Sequence, residues 1–228
     1  MDEQTIVPGR LDFESLDRTM TDAFTTPILS DSLDAVGIRD RVMIAGITPV
    51  QPGLRAIGRA HTVSFDPDPA DHPDPYGTAI DVIDGLFPGS VLVIETGGDP
   101  RSAYWGELFT AAAIGRGAAG IVTDGPTRDT PRVRALGHPV FGQGTRPIDF
   151  RARMSITTVG ATVLCGEVEV TPGDLVLADD DGIVVVPRRA ESQVLSRAVA
   201  RITAERSVLE ELLGGATLRE VWNRWGVL

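Results

Sequence analysis

Apolar residues recur at helical spacing from Asp12 to Phe24 and again from Ser30 to Val36, where Ser30 and Asp31 offer N-cap oxygens. Two helices are therefore predicted to open the chain. The segment from Ala56 to Phe65, with Val63 and Phe65 alternating with polar neighbours, predicts a strand, and the Asp/Pro cluster from Asp66 to Pro75 predicts a loop. A helix of about a dozen residues should then end near Phe87. Val91 to Ile94 reads as a buried strand, Gly97-Gly98-Asp99-Pro100 as a turn, Trp105 to Ile114 as a helix, and Ile121-Val122 as the start of another strand. Strand-helix alternation of this kind predicts an α/β fold with parallel strands covered on both faces.

After Pro139 the pattern shifts to short β-rich runs: Val140-Phe141, Ile156 to Leu164, Val168 to Val170, Leu175 to Leu177 and Ile183 to Val186. Turn sequences such as Thr171-Pro172-Gly173-Asp174 and Asp179 to Gly182 separate them, so this part is expected to be mainly antiparallel. From Arg189 a charged amphipathic helix should run to Leu213, stopped by Gly214-Gly215, with a short final helix beyond. No internal repeat is evident.

A length of 228 residues with 42% hydrophobic residues is enough for a full core, and a single globular domain over residues 1–228 is expected. Neither a span of some 18 uninterrupted apolar residues nor, at Met1-Asp2-Glu3-Gln4, a signal-peptide pattern is present, so a cytoplasmic protein with no membrane partner is expected. The net charge of −11 repels phosphate backbones and argues against a nucleic-acid partner. All 21 basic residues are arginine. Without lysine, no protein Schiff base, lysine-bound cofactor or P-loop lysine is available, so carbonyl chemistry would need a metal or arginine as its electron sink. Cys165, the one cysteine, reads as a small buried hydrophobe.

Several motifs have ordinary explanations. Gly115 to Gly120 spells G-x-G-x-x-G, but a helix precedes it and a strand follows, the reverse of a dinucleotide site, so a helix cap and tight turn is the better reading. Asp179-Asp180-Asp181-Gly182 lacks calcium-loop spacing and reads as a β-turn. His61, His72 and His138 have no zinc spacing and are expected at the surface or in loops, which leaves a hard cation, Mg²⁺ or Mn²⁺, as the plausible metal.

Asp124-Gly125-Pro126-Thr127-Arg128-Asp129 directly follows a predicted strand, where an α/β sheet opens its ligand crevice. Arg128 offers a planar fork for a carboxylate and Asp129 an oxygen donor for a hard cation, although an ordinary surface Arg-Asp pair has the same spacing. Trp105-Gly106-Glu107-Leu108-Phe109 opens a predicted helix, whose free N–H groups attract an anion; a glycine entry with an acidic first turn is the alternative.

These blocks, with Ser32-Leu33-Asp34-Ala35, Gly58-Arg59-Ala60-His61-Thr62-Val63, Pro139-Val140-Phe141, Pro172-Gly173-Asp174 and Asp179 to Pro187, resemble the class II pyruvate aldolases acting on 4-hydroxy-4-methyl-2-oxoglutarate and 4-carboxy-4-hydroxy-2-oxoadipate. Those enzymes share a fold with the RraA regulators of ribonuclease E. The resemblance implies an α/β/α sandwich of the swivelling-domain type with flanking N- and C-terminal helices, assembled as a homotrimer or hexamer with interface active sites. It also implies a divalent metal, Mg²⁺ or Mn²⁺, on Asp129, supported through water by Glu205 of a neighbouring subunit; Glu210 and Glu211 are the weaker alternatives. Arg128 would contact the pyruvyl part of a small 2-oxo acid, and Gly106, Glu107, Leu108 and Phe109 would receive its carboxylate. Glu107 would further orient a metal-bound water that moves the proton of the C4 hydroxyl. Aldol cleavage or oxaloacetate decarboxylation would follow from stabilising the pyruvate enolate. Arg59, where the family more often has a small residue or proline, and the long acidic Asp66 to Pro75 loop depart from the pattern. A non-catalytic RraA-like regulator binding a ribonuclease or another protein is the alternative, and retention of both Arg128 and Asp129 weighs against it.

Overall fold

The computed structural model describes residues 11–227, so the Met1 to Gln4 segment read above lies outside the described residues. Along the chain run α1 (Arg18–Ala23), α2 (Thr26–Asp34), β1 (Thr48–Pro49), β2 (Ala56–Pro67), α3 (Gly77–Asp84), β3 (Ser90–Glu95), α4 (Glu107–Gly115), β4 (Gly120–Thr123), α5 (Thr130–Leu136) and β5 (Val140–Gly142). Then follow β6 (Met154–Val159), β7 (Val163–Cys165), β8 (Val168–Val170), β9 (Leu175–Asp179), β10 (Gly182–Val186), α6 (Glu191–Leu213) and α7 (Leu218–Trp225). Two compact units result among the described residues: 40–188, and the two ends, 11–39 with 189–227. No helix among the described residues is long and apolar enough to cross a membrane.

The central unit is built on an eight-stranded mixed sheet of order β1-β5-β4-β3-β2-β9-β10, with β6 also paired to β2. β2, β3, β4 and β5 are mutually parallel, joined by right-sized crossovers through α3, α4 and α5. Alternate residues of these strands enter two cores. Val63, Leu92, Ile94, Ile121 and Val140 pack with Val82 and Ile83 of α3, Ala113 of α4 and Val133 of α5. Ala60, Val91, Val93, Val122 and Phe141 face the opposite way, against Val163 and Cys165 of β7 and Val168 and Val170 of β8. Burial on both faces is why these strands read as continuous apolar runs.

The structure is α/β, as the pattern predicts, with several corrections in detail. The first predicted helix is a 3-10 turn at Phe13–Ser15 followed by α1, because Asp17 breaks the run by accepting from the Met20 N–H as an N-cap. The second starts earlier than Ser30: Thr25 caps α2 and a proline occupies its first turn. Helix α4 begins at Glu107 rather than Trp105, and α5 is an element the pattern did not announce. Ile156 to Leu164 is not one strand but parts of β6 and β7, interrupted at Gly160, which has φ +68°. β5 belongs to the parallel set, paired with β4, because α5 supplies the crossover; the rest of the later strands are antiparallel as expected.

In the unit formed by the chain ends, α6 packs alongside α2 and α7, and Arg201 of α6 bridges Asp31 and Glu205, each at 2.6 Å.

Candidate active site

Strand β4 ends at Thr123, and the next residue, Asp124, is buried. Its carboxylate accepts from the Thr96 N–H (2.7 Å), the Thr96 hydroxyl (2.8 Å) and the Gly166 N–H (3.4 Å), tying the end of β3 and the β7–β8 turn to the start of the Arg128 loop. Burial pushes the Asp124 carboxyl above the usual range, against the pull of those donors. At Gly125 a Cβ would meet the Tyr104 ring at 2.5 Å, so only glycine lets the chain pass. Thr127 then forms parallel bridges to Trp105 and Thr145, and the Arg128 N–H donates to the Trp105 carbonyl at 2.8 Å. The loop is thus clamped on both sides before the Arg128 and Asp129 side chains emerge.

Asp129 adopts a left-handed backbone, φ 57° and ψ 27°, at the N-cap of α5, a conformation that aspartate tolerates better than most residues. Its carboxylate faces the first turn of α4: Oδ2 accepts from the Glu107 N–H at 3.3 Å and lies 3.7 Å from Arg128 Nε. Gly106 leaves the room for this, since a Cβ there would lie 2.7 Å from Asp129 Oδ2 and 3.1 Å from Arg128 Cγ. Arg128 donates from its Nη1 to Asp149 at 2.7 Å, and Asp149 also accepts from the Tyr76 hydroxyl (3.0 Å) and the Arg151 N–H (2.8 Å). Burial pulls the Asp149 carboxyl upward, yet these donors outweigh it and hold the group below the ordinary carboxylate range.

Arg128, Asp129, Gly106, Leu108 and Phe109 line one cavity of about 340 Å³, closed by Tyr76, Ile80, Trp105 and Phe150. Five of the seven sequence-predicted site residues therefore meet in one place. Glu107 belongs to the same turn but directs a carboxylate oxygen to Arg132 of α5 at 3.0 Å. Glu205, expected to act from a neighbouring subunit, lies on α6 in the other unit, ion-paired with Arg201. As a donor set for a hard cation, Asp129 is suitable: its side chain is 43% exposed and it accepts only one backbone N–H at ordinary range, leaving lone pairs for an ion that keeps most of its waters. Among the described residues, the mutually close acidic trio is elsewhere, Asp12, Glu14 and Glu191, whose oxygens lie within 4.8 Å of one another in the terminal unit. Glu191 there already accepts the Phe13 N–H at 2.9 Å.

The remaining motifs settle into structural places. Gly115 ends α4 and Gly120 opens β4, while Asp179 to Gly182 turns β9 into β10. Cys165 is fully buried and its thiol is pushed up by that burial. His72 is exposed and pairs with Asp68 at 2.7 Å. His61 corrects the surface-or-loop expectation: it sits in the central strand β2, half-buried, with its ring edge toward Phe87. Asp149 and Tyr76 carry no signal in the sequence, and Asp124, the first residue of its block, carries no role of its own there; Asp149 is 21 positions from the arginine it holds, and no spacing rule links them.

A family model described as RraA-like, Aldolase/RraA, matches residues 26–185, which include the whole cavity. The chain belongs to this family. Within it, the chain is 31% identical over 193 residues to a Halalkalibacterium halodurans protein provisionally named a 4-hydroxy-4-methyl-2-oxoglutarate aldolase, the match covering 83% of each. It is 30% identical over 193 residues to the protein DlpA of Legionella pneumophila, a match that takes in 84% of this chain and only 31% of that much longer relative. Among solved structures, Streptomyces coelicolor RraAS2, described as an unusual member of the RNase ES inhibitor RraA protein family, aligns with a TM-score of 0.77 at 30% identity, over 86% of this chain and 98% of that one. The RraA-like family is the one whose motifs the sequence blocks resemble, and its fold is the one found.

Proposed function

We propose that this protein is a divalent-metal-dependent lyase that cleaves a C–C bond in a small 2-oxo acid and releases pyruvate, by aldol cleavage or by decarboxylation of oxaloacetate. The observation that carries the reading is the convergence of Arg128, Asp129 and the first turn of α4 on a single cavity. Asp129 would hold Mg²⁺ or Mn²⁺, with a carboxylate such as Glu205 reaching it from another subunit of a trimer or hexamer. When bound, the cation supplies Lewis-acid stabilisation of negative charge developing on the 2-oxo group.

The residues of the chain account for the rest. Arg128, oriented by Asp149, binds the pyruvyl end and neutralises the enolate oxygen as it forms. Backbone N–H groups of Leu108 and Phe109, unpaired within the first turn of α4, receive the substrate carboxylate, and the helix dipole favours the anion there. Glu107, with one oxygen held by Arg132, would orient with the other a water that takes up the proton of the C4 hydroxyl in the aldol reaction. The absence of lysine agrees with this chemistry, because no Schiff base can carry the charge.

Pyruvate release coupled to lactate dehydrogenase, from 4-hydroxy-4-methyl-2-oxoglutarate and from oxaloacetate, tests the proposal. Release with Mg²⁺ or Mn²⁺ that EDTA abolishes is expected, and Arg128→Ala should lower kcat by about a hundredfold or more. No release from either compound with either metal would overturn the reading. The likeness to RraAS2 supports a second reading, an RraA-like regulator that binds a ribonuclease or another protein, and that outcome would favour it.

A further inference from the structure

We infer, resting on the lyase reading above, that Arg146 receives the second carboxylate of the substrate and thereby favours aldol cleavage of a diacid over decarboxylation of oxaloacetate. Arg128 and Asp129 line two concavities: the one of about 340 Å³ that takes in the first turn of α4, and another of about 420 Å³ lined also by Thr130 and Pro131 of α5 and by Thr145 and Arg146. The backbone fixes Arg146 in place. Thr127 forms a parallel bridge to Thr145, its N–H donating to the Gly144 carbonyl at 3.0 Å, and the Arg146 N–H donates to the Thr127 carbonyl at 2.9 Å. Arg146 thus stands one step past the bridge, as Arg128 does on the facing segment. Its side chain is exposed, and among the described residues no acid of the same chain pairs with its guanidinium. Arg132, the arginine in the first turn of α5, is by contrast held by Glu107 at 3.0 Å.

Glu107, which the lyase reading places at the C4 hydroxyl, is tied through Arg132 to the same turn of α5 as Thr130 and Pro131. A carboxylate carried on C4 therefore meets the concavity that Arg146 lines, where a planar guanidinium can grip it through two hydrogen bonds. The two reactions treat that carboxylate differently. In aldol cleavage the electron pair of the C3–C4 bond passes to the pyruvyl part as its enolate, and the C4 hydroxyl loses its proton to become a carbonyl. The second carboxylate keeps its charge throughout, so a cation on it binds substrate and transition state alike. In oxaloacetate the second carboxylate departs as neutral CO2 and its charge passes to the enolate. A cation on it then stabilises the ground state more than the transition state and slows the step. In both reactions the enolate takes a proton from water at C3 to give pyruvate.

Arg146→Ala and Arg146→Lys, made in the full chain and studied with Mg²⁺, test this by binding and by turnover. Isothermal titration calorimetry should show 2-oxoglutarate bound about tenfold more weakly by Arg146→Ala and partly recovered in Arg146→Lys. Affinity for 2-oxopentanoate, a monoacid of the same length, should change by no more than about twofold. In pyruvate release, Arg146→Ala should raise KM for 4-hydroxy-4-methyl-2-oxoglutarate by about tenfold with kcat nearly kept, while kcat for oxaloacetate holds or rises. Equal weakening of both 2-oxo acids, weakening of neither, or a fall in the oxaloacetate kcat would overturn the inference and leave the lyase reading in place. A change in the oligomeric size of Arg146→Ala, measured by light scattering, would overturn it by assigning Arg146 to a subunit contact. Neither binding of any 2-oxo acid nor release of pyruvate by the unaltered protein would overturn both.

Discussion

At the scale of single residues, two small choices set the site. Gly106 has an extended backbone with no left-handed requirement, so its role is one of space alone: a methyl group would push on the Asp129 carboxylate and the Arg128 side chain. Gly106→Ala should therefore leave the melting temperature almost unchanged while lowering kcat roughly tenfold to a hundredfold, as expected for displacement of reacting groups by a fraction of an ångström to an ångström. Wild-type turnover in that variant would remove the steric account. Asp149 acts through another residue. Asp149→Ala releases one end of Arg128 and leaves the Tyr76 hydroxyl without its acceptor, so KM for the 2-oxo acid should rise by about tenfold while kcat changes less, and Asp149→Asn should restore part of the loss. An unchanged KM would show that Arg128 needs no such brace.

At the scale of elements, the Arg128 loop is carried by its anchors. Asp124→Ala would leave the Thr96 and Gly166 N–H groups unsatisfied in a buried place, costing about 1–3 kcal/mol, which differential scanning calorimetry would register as a lower melting temperature. Elements with a strong internal period were legible from the sequence: β3 and β4 as apolar runs, and α6 as a long amphipathic helix. What the pattern could not carry was long-range pairing. Val140-Phe141 looks like any short β run, and only the crossover through α5, whose start is marked by a left-handed Asp129 rather than an ordinary cap, makes β5 parallel to β4. The candidate site was legible for the same reason in reverse. Gly106 to Phe109 and Arg128-Asp129 are contiguous in sequence and sit at element ends, whereas Tyr76 reaches the cavity from a helix N-terminus and Asp149 reaches Arg128 from a loop, and no spacing announces either.

At the scale of the whole molecule, two half-buried histidines contribute to the response to acid. Burial lowers the pKa of both His61 and His138 below the ordinary 6.5. At these two sites the unfolded chain consequently binds protons more readily than the folded one between the two values, so their contribution to stability is full above about pH 6.5 and falls as the pH drops below it. Melting temperatures measured from pH 7.5 down to pH 5 should decline, and the His61→Gln/His138→Gln double variant should decline less; parallel curves would exclude the histidines as the cause. The left-handed backbone at Asp129 has a consequence in genetic terms. Few side chains besides asparagine and glycine accept that conformation readily, and both are reached from an aspartate codon by a single base change. If Asp129 holds the proposed metal, a lineage that abandons it can therefore do so in one mutational step with the loop intact, and descendants that keep the fold but serve only as binding proteins should be found with asparagine or glycine at this position.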